Sequence, residues 1–281
     1  MIDRQKNILF LTIDFPPMGG GMARHCYDVS VALKQAGEKL VILAPRVEGQ
    51  EYFEDKEKLE IRRLRAIRDK KIFDSYLRSV WVYFIKGFWY CLTGRVKIIF
   101  ANTWSVAGVA AFLLKKLLGV PYFIFAHGFD VYAPQQSTKA MKLMKVVLRN
   151  ASVVIANSHF THSLIKKILP DTKVVIVYPA IDVERFTSSM PSFDSKLKGK
   201  RIILTVARLV ESKGQEAVIR ALPRVIKQIP EAVYRIVGDG PLEPQLKELV
   251  HSLGLREYVI FEGRVDQRDL AAYYQQCDIF V

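Results

Sequence analysis

The chain has 281 residues, half of them hydrophobic, and 42 Lys and Arg against 28 Asp and Glu give a net charge of +14. That composition excludes a chain too polar to build a core, allows one large or two modest domains, and implies an anionic partner: nucleic acid, anionic lipid or a phosphorylated substrate. Cys26, Cys91 and Cys277 are too scattered for a disulfide framework or a zinc site, so a reducing cytosol is expected.

Taken in order, short continuous apolar runs recur at Ile8–Ile13, Lys39–Leu43, Glu60–Arg65, Lys97–Ala101, Pro121–Ala126, Ser152–Ala156 and Lys173–Val177. Continuous rather than alternating runs predict parallel strands covered on both faces. Helical periodicity lies between many of them, including Val106–Leu118, Met141–Leu148 and Phe160–Leu169. Alternating β and α units predict an α/β domain with a doubly wound sheet over residues 1–181. The first strand enters Asp14-Phe-Pro-Pro-Met-Gly-Gly-Gly21 and then a helix expected to turn Met22, Cys26, Val29 and Leu33 inward. The opening residues carry none of the marks of a signal peptide.

Between Lys56 and Lys97 stand twelve Lys and Arg against four acids. Inside this stretch Tyr76–Leu92 is rich in aromatics but carries Arg78 and Lys86, too polar to cross a bilayer. Two readings stand side by side: a helix lying on an anionic membrane surface, or an ordinary crossover helix with its aromatics in the core. Nucleic acid is disfavoured, because no DNA or RNA recognition motif is present.

From Asp182 to Lys200 the pattern dissolves into Ser, Pro, Lys and Asp, which reads as a linker, and a second α/β unit is expected over residues 201–281. Its strand Arg201–Ala207 leads to a helix with Val218, Ala221, Leu222, Val225 and Ile229 inward and a kink at Pro223. Strand Ala232–Val237 leads through Gly238-Asp-Gly-Pro241 to a helix with Leu242, Leu246, Leu249, Val250 and Leu253 inward. Strand Tyr258–Glu262 precedes a helix over Gln267–Gln276 and a fourth strand at Asp278–Val281. Ending inside a strand reads as a second domain truncated after its fourth strand, a fragment or a reading frame cut short.

The most informative stretch is Val206-Ala-Arg-Leu-Val-Glu-Ser-Lys-Gly214, where Arg208 and Lys213 follow a strand and precede a helix. Cations at the carboxyl edge of a parallel sheet, beside a helix N-terminus, favour phosphate. The glycine loop after the first strand is a second such place, so the two units together read as an enzyme working across a cleft. Each motif also has a plainer reading: Gly19–Gly21 as a flexible turn, His127 as a satisfied loop histidine, Arg208 and Lys213 as solvated charges, Asp14 as a structural loop acid. The other histidines, at 25, 159, 162 and 251, show no triad or metal spacing and receive no role.

In series, Asp14–Met22, His127-Gly-Phe-Asp130, Ser158-His-Phe-Thr161, Tyr178-Pro-Ala-Ile-Asp182, Arg208 with Lys213-Gly214, Gly238-Asp-Gly240 and Phe261-Glu-Gly-Arg-Val265 resemble the retaining, nucleotide-sugar-dependent glycosyltransferases of family 4, over almost the whole chain. The opening is most similar to phosphatidylinositol mannosyltransferases and surface-polysaccharide enzymes. The resemblance implies a GT-B fold of two Rossmann-like domains and a GDP- or UDP-linked sugar donor, with no metal and no other cofactor. It implies that Arg208 and Lys213 bind the donor diphosphate, that Gly20 and Gly21 bring bare backbone to the donor phosphate or transferred sugar, and that His127 faces that sugar. Gly238 would pass close to the nucleotide, Val265 would meet its base, and Asp14 would face the acceptor. The implied acceptor is a glycolipid or polysaccharide, and the implied place is the cytoplasm or, peripherally, the inner face of the plasma membrane.

Family members continue into a Glu-rich signature, two glutamates separated by seven residues, that this chain does not reach. A truncated, inactive relative that binds membrane or a partner is therefore a rival expectation. An NAD-dependent oxidoreductase is a third, weakened because the first loop lacks the G-x-G-x-x-G spacing and a well-placed ribose acid.

Overall fold

The computed structural model describes residues 7–52, 58–65, 72–181, 183, 186, 197–266 and 269–281. Its contacts divide the chain into two compact units, Met1–Ala180 and Ile181–Val281. Most of the expected linker, residues 182, 184–185 and 187–196, and parts of the basic stretch, 56–57 and 66–71, lie outside the described residues, as do Gln267 and Arg268. Leu197, assigned to that linker from sequence, is buried with Ile202 and Val233 and belongs to the core of the second unit.

The first unit is an all-parallel sheet of seven strands: β1 (Asn7–Leu11), β2 (Leu40–Pro45), β3 (Ile61–Leu64), β4 (Val96–Ala101), β5 (Tyr122–Ala126), β6 (Val153–Ala156) and β7 (Val174–Ile176). They lie in the order β3-β2-β1-β4-β5-β6-β7, so the winding reverses between β1 and β4. Successive strand residues face opposite sides. Accordingly Ile8 and Phe10 join one core with Cys26 and Phe125, while Leu9 and Leu11 join the other with Tyr83 and Leu114. Helix α1 (Gly21–Gln35) covers the first side. Helices α2 (Ile72–Leu92), α3 (Val106–Leu118), α5 (Thr138–Asn150) and α6 (His159–Ile168) serve the second, with the short α4 (Phe129–Tyr132) after β5. Every residue of β2 is buried, which is why its sequence shows no alternation.

The second unit is a parallel sheet in the order β10-β9-β8-β11, built from β8 (Arg201–Val206), β9 (Ala232–Val237), β10 (Val259–Gly263) and β11 (Ile279–Phe280). Helices α7 (Gln215–Ile226) and α8 (Glu243–Ser252) pack on one face, and α9 (Leu270–Gln276) precedes β11. Pro223 falls in the last turn of α7, where few hydrogen bonds remain to be broken.

The inward faces of three helices differ from expectation. In α1 the buried set is Ala23, Cys26 and Ser30, and Met22 is exposed. In α7 it is Gln215, Ile219 and Leu222, with Ala221 and Ile229 exposed; beyond α8, Leu253 is exposed. Met22 opens its helix and Ile229 and Leu253 lie just beyond theirs, so helical period alone misplaces them; nothing in the structure explains Ala221.

Candidate functional site

In the first unit the loop after β1 opens at the carboxyl edge where the strand order reverses, the usual ligand position in open α/β sheets. Thr12 is fully buried there and organises the turn: its hydroxyl donates to the Asp14 carbonyl at 2.7 Å and stands 3.4 Å from the Cys26 thiol. The Tyr83 hydroxyl, from α2, donates to the Thr12 carbonyl at 2.5 Å. Asp14 is thereby held half-buried at the sheet edge. Gly20 is the N-cap of α1 at φ 118°, a conformation that favours glycine, and no side chain caps the helix. A Cβ on Gly20 or Gly21 would meet no described atom within 4 Å. Gly21 has no positive φ either, so the fold itself makes no demand for glycine at that position.

His127 follows β5 at the same edge. Its Nε2 lies 3.0 Å from the backbone oxygen of Asn102 and 2.9 Å from that residue's Oδ1. A carbonyl can only accept, so the neutral ring keeps its proton on Nε2 and leaves a lone pair on Nδ1. Burial holds the imidazole below its ordinary pKa, against the opposing effect of its bond to Asn102 and of the Asp14 charge. His127 is thus a neutral hydrogen-bond acceptor, suited to a hydroxyl group.

Three further residues share this place, and sequence reading gave them no role. His25, on the second turn of α1, sets its ring edge-on to His127 with centroids 5.5 Å apart, and is itself held below its ordinary pKa by burial and by His127. Asp130 accepts from the His127 backbone N–H at 2.9 Å, and burial raises its carboxyl to about 6. Asn102 is wholly buried, and its Nδ2 and Asp130 Oδ2 are unbonded buried polar atoms. Beside them Phe129 and Phe160 expose their rings; Gly128 abuts Thr161 so closely that a Cβ would lie 3.1 Å from its hydroxyl.

The second unit repeats the plan at the carboxyl edge of β8. Arg208 and Lys213 are exposed, Lys213 closing the short 3-10 turn Glu211–Lys213. Gly214 then adopts φ 71° as the N-cap of α7, and Gln215 donates to the Arg208 carbonyl at 3.1 Å, fixing the loop. Gly238 has a reason internal to the protein: a Cβ would stand 2.0 Å from the Ala207 carbonyl oxygen. Gly240 is confined in the same way by Leu209. Val265 is half-buried just past β10. Asp14, Gly20, Gly21 and His127 are therefore gathered on one unit, and Arg208, Lys213, Gly238 and Val265 on the other. Among the described residues no group of three or more His, Cys, Asp or Glu is placed to hold a metal ion.

Residues 19–185 match Glycosyltransferase Family 4, and residues 191–281 match Glycosyl transferases group 1. The chain belongs to glycosyltransferase family 4. One relative is the GDP-mannose-dependent alpha-(1-6)-phosphatidylinositol monomannoside mannosyltransferase of Mycolicibacterium smegmatis, 24% identical over 291 residues covering 97% of this chain and 71% of the relative. Another is the putative teichuronic acid biosynthesis glycosyltransferase TuaC of Bacillus subtilis, 29% identical over 192 residues covering 66% of this chain and 46% of that one. Among solved structures, Anabaena Alr3699/HepE in complex with UDP-glucose aligns with a TM-score of 0.72 at 18% identity, covering 98% of this chain and 72% of that one. At that identity the likeness speaks for the fold, the pair of Rossmann-like units of the GT-B class.

Proposed function

We propose that this glycosyltransferase moves a sugar from a GDP- or UDP-linked donor to a glycolipid or polysaccharide acceptor, with retention of anomeric configuration. The observation that carries the reading is the exposed Arg208–Lys213 pair at the carboxyl edge of β8, ahead of the N-terminus of α7. As the glycosidic bond breaks, negative charge gathers on the departing diphosphate, and a guanidinium and an ammonium compensate it without a metal. The two cations differ in what they offer. Arg208 presents a planar fork for two phosphate oxygens, Lys213 a compact point charge.

In the same reading Gly20 and Gly21 bring backbone against the donor phosphate or the transferred sugar, with no side chain in the way. His127 accepts from a hydroxyl of that sugar through Nδ1. Val265 lies along the base, and Gly238, fixed by Ala207, keeps the adjoining loop close to the nucleotide. Asp14 belongs to the acceptor side. The GDP-mannose and phosphatidylinositol monomannoside named for the Mycolicibacterium relative, the teichuronic acid biosynthesis named for the Bacillus one, and the UDP-glucose held by the Anabaena protein support these substrate classes. The enzyme acts in the cytoplasm, peripherally on the inner face of the plasma membrane, which its basic stretch over 56–97 meets electrostatically.

A thermal-shift screen against GDP-, UDP- and ADP-sugars tests the reading, since a ligand bound only by the folded state raises the melting temperature. One donor class should stabilise the chain, and Arg208→Ala and Lys213→Ala should each reduce that shift. Equal shifts in wild type and variants would remove the assigned role of these cations. No shift with any donor would favour an inactive relative.

A further inference from the structure

We propose that the outward face of α2 is a docking surface for an anionic lipid bilayer, lying in the headgroup region without crossing it. The two sides of this helix differ in what they meet. Its inner side is core: Val80, Tyr83 and Cys91 are buried, and Gly87 sits so tightly that a Cβ would lie 2.8 Å from Leu114 Cδ1. Its outer side is apolar as well. Leu77, Trp81, Ile85 and Trp89 recur every fourth residue, Leu92 continues the stripe, and Trp81 and Trp89 are 53% and 64% exposed. Residues four apart stack on one helix face, so this is a continuous ridge about 20 Å long. Contiguous exposed apolar surface of this kind marks an interaction site, whereas single exposed residues do not.

Charge decides the occupant. From Tyr76 to Leu92, the part of α2 that carries the ridge, the sequence holds Arg78 and Lys86 and no acid; Asp74 stands a turn earlier, and Lys97, on β4, is paired with Glu38. Arg78 and Lys86 are exposed on the helix that carries the ridge. Tryptophan beside cations on an amphipathic helix matches the headgroup zone of an anionic membrane. No described helix is long and apolar enough to cross a membrane. The aromatic rings support one another, Trp81 meeting Phe84 at 5.4 Å and Phe88 meeting Trp89 at 6.3 Å.

This inference deepens the membrane part of the proposed function and is independent of the donor chemistry, so failure of the donor screen would leave it standing. The test is flotation of the full chain with vesicles of phosphatidylcholine alone and of phosphatidylcholine mixed with phosphatidylglycerol, read together with tryptophan emission. Trp81 and Trp89 should shift to the blue and be quenched by brominated anionic lipid, while Trp104, already buried, contributes little change. Arg78→Glu with Lys86→Glu should weaken binding at least about tenfold, and Trp81→Ser with Trp89→Ser should abolish the blue shift. The emission and quenching of the wild-type chain need no variant, so misfolding of a variant does not blunt the test. Three results overturn the proposal: no flotation with anionic vesicles, equal binding to neutral ones, or a dimer in sedimentation that dissociates on Trp81→Ser, which would make a second copy the occupant.

Discussion

The imidazoles of His25 and His127 meet edge to face, with ring centroids 5.5 Å apart and planes at 84°. One comes from α1 and the other from the end of β5, so the pair ties the glycine-loop helix to the strand beyond the point where the winding reverses. Both rings are held toward their neutral forms by burial, and like-charge repulsion between the protonated rings further depresses His25. A neutral pair suits hydrogen bonding to uncharged sugar hydroxyls better than binding of phosphate, which the proposed function gives to the cations of the second unit.

Removing one ring should therefore release the other. In His127→Gln the like-charge repulsion on His25 disappears while its burial remains, so its pKa should rise toward, without reaching, the ordinary 6.5. Imidazole proton shifts followed by NMR against pH read this directly. A His25 titration that does not move would show that the contact carries no electrostatic coupling.

Gly21 and Gly238 separate two reasons for a glycine. A methyl at Gly238 would collide with the Ala207 carbonyl at 2.0 Å, on a backbone with φ 131°, so Gly238→Ala should cost about 2 kcal/mol or more. At Gly21 the same methyl meets no described atom and the backbone has no positive φ, so Gly21→Ala should leave stability within about 0.5 kcal/mol. Binding of the sugar donor should nonetheless fall in Gly21→Ala. Urea denaturation and donor titration of the two variants check the contrast. Unimpaired donor binding by Gly21→Ala would detach that position from the ligand.

The strands were legible in the sequence because parallel interior strands leave no polar alternation to blur them. Leu40–Pro45 and Ala232–Val237 are buried throughout, and the expected runs Lys39–Leu43 and Ala232–Val237 coincide with the strands to within two residues. Motif order along the chain made legible where the glycine loop, His127, Arg208 and Lys213 stand, each just past the end of a strand, while their roles rest on the proposed function. His25, Asn102 and Asp130 were not, because each gains its meaning from a neighbour on another element. Asn102 matters only because the end of β4 lies beside the end of β5. The outward ridge of α2 was half legible: composition showed aromatics and cations together, but not that Tyr83 turns inward while Trp81 and Trp89 turn out.

Tyr83 links that helix to the site. Its hydroxyl is the donor to the Thr12 carbonyl at 2.5 Å, and both residues are fully buried. Tyr83→Phe leaves the shape intact and deprives a buried acceptor of its partner, at a cost of about 1–3 kcal/mol. Because Thr12 positions Asp14, hydrogen exchange should also quicken at the amides of the loop after β1. Loss of stability without faster exchange there would make the bond a general core contact.

The last prediction concerns acid. Burial raises the Asp130 carboxyl from 3.8 to about 6, so between those values the folded chain keeps a proton that the unfolded chain has lost. Stability therefore falls as pH rises through that window and levels off above it. His25 and His127 act in the opposite sense: their folded pKa values lie below 6.5, so the unfolded chain binds more protons and stability falls as pH drops below that value. In the wild type the two slopes partly cancel. Asp130→Asn removes only the first, so the variant should lose stability more steeply than the wild type on acidification from pH 6 toward 4. Urea midpoints measured across that range decide it, because parallel curves for the two proteins would mean that Asp130 titrates as an ordinary carboxylate.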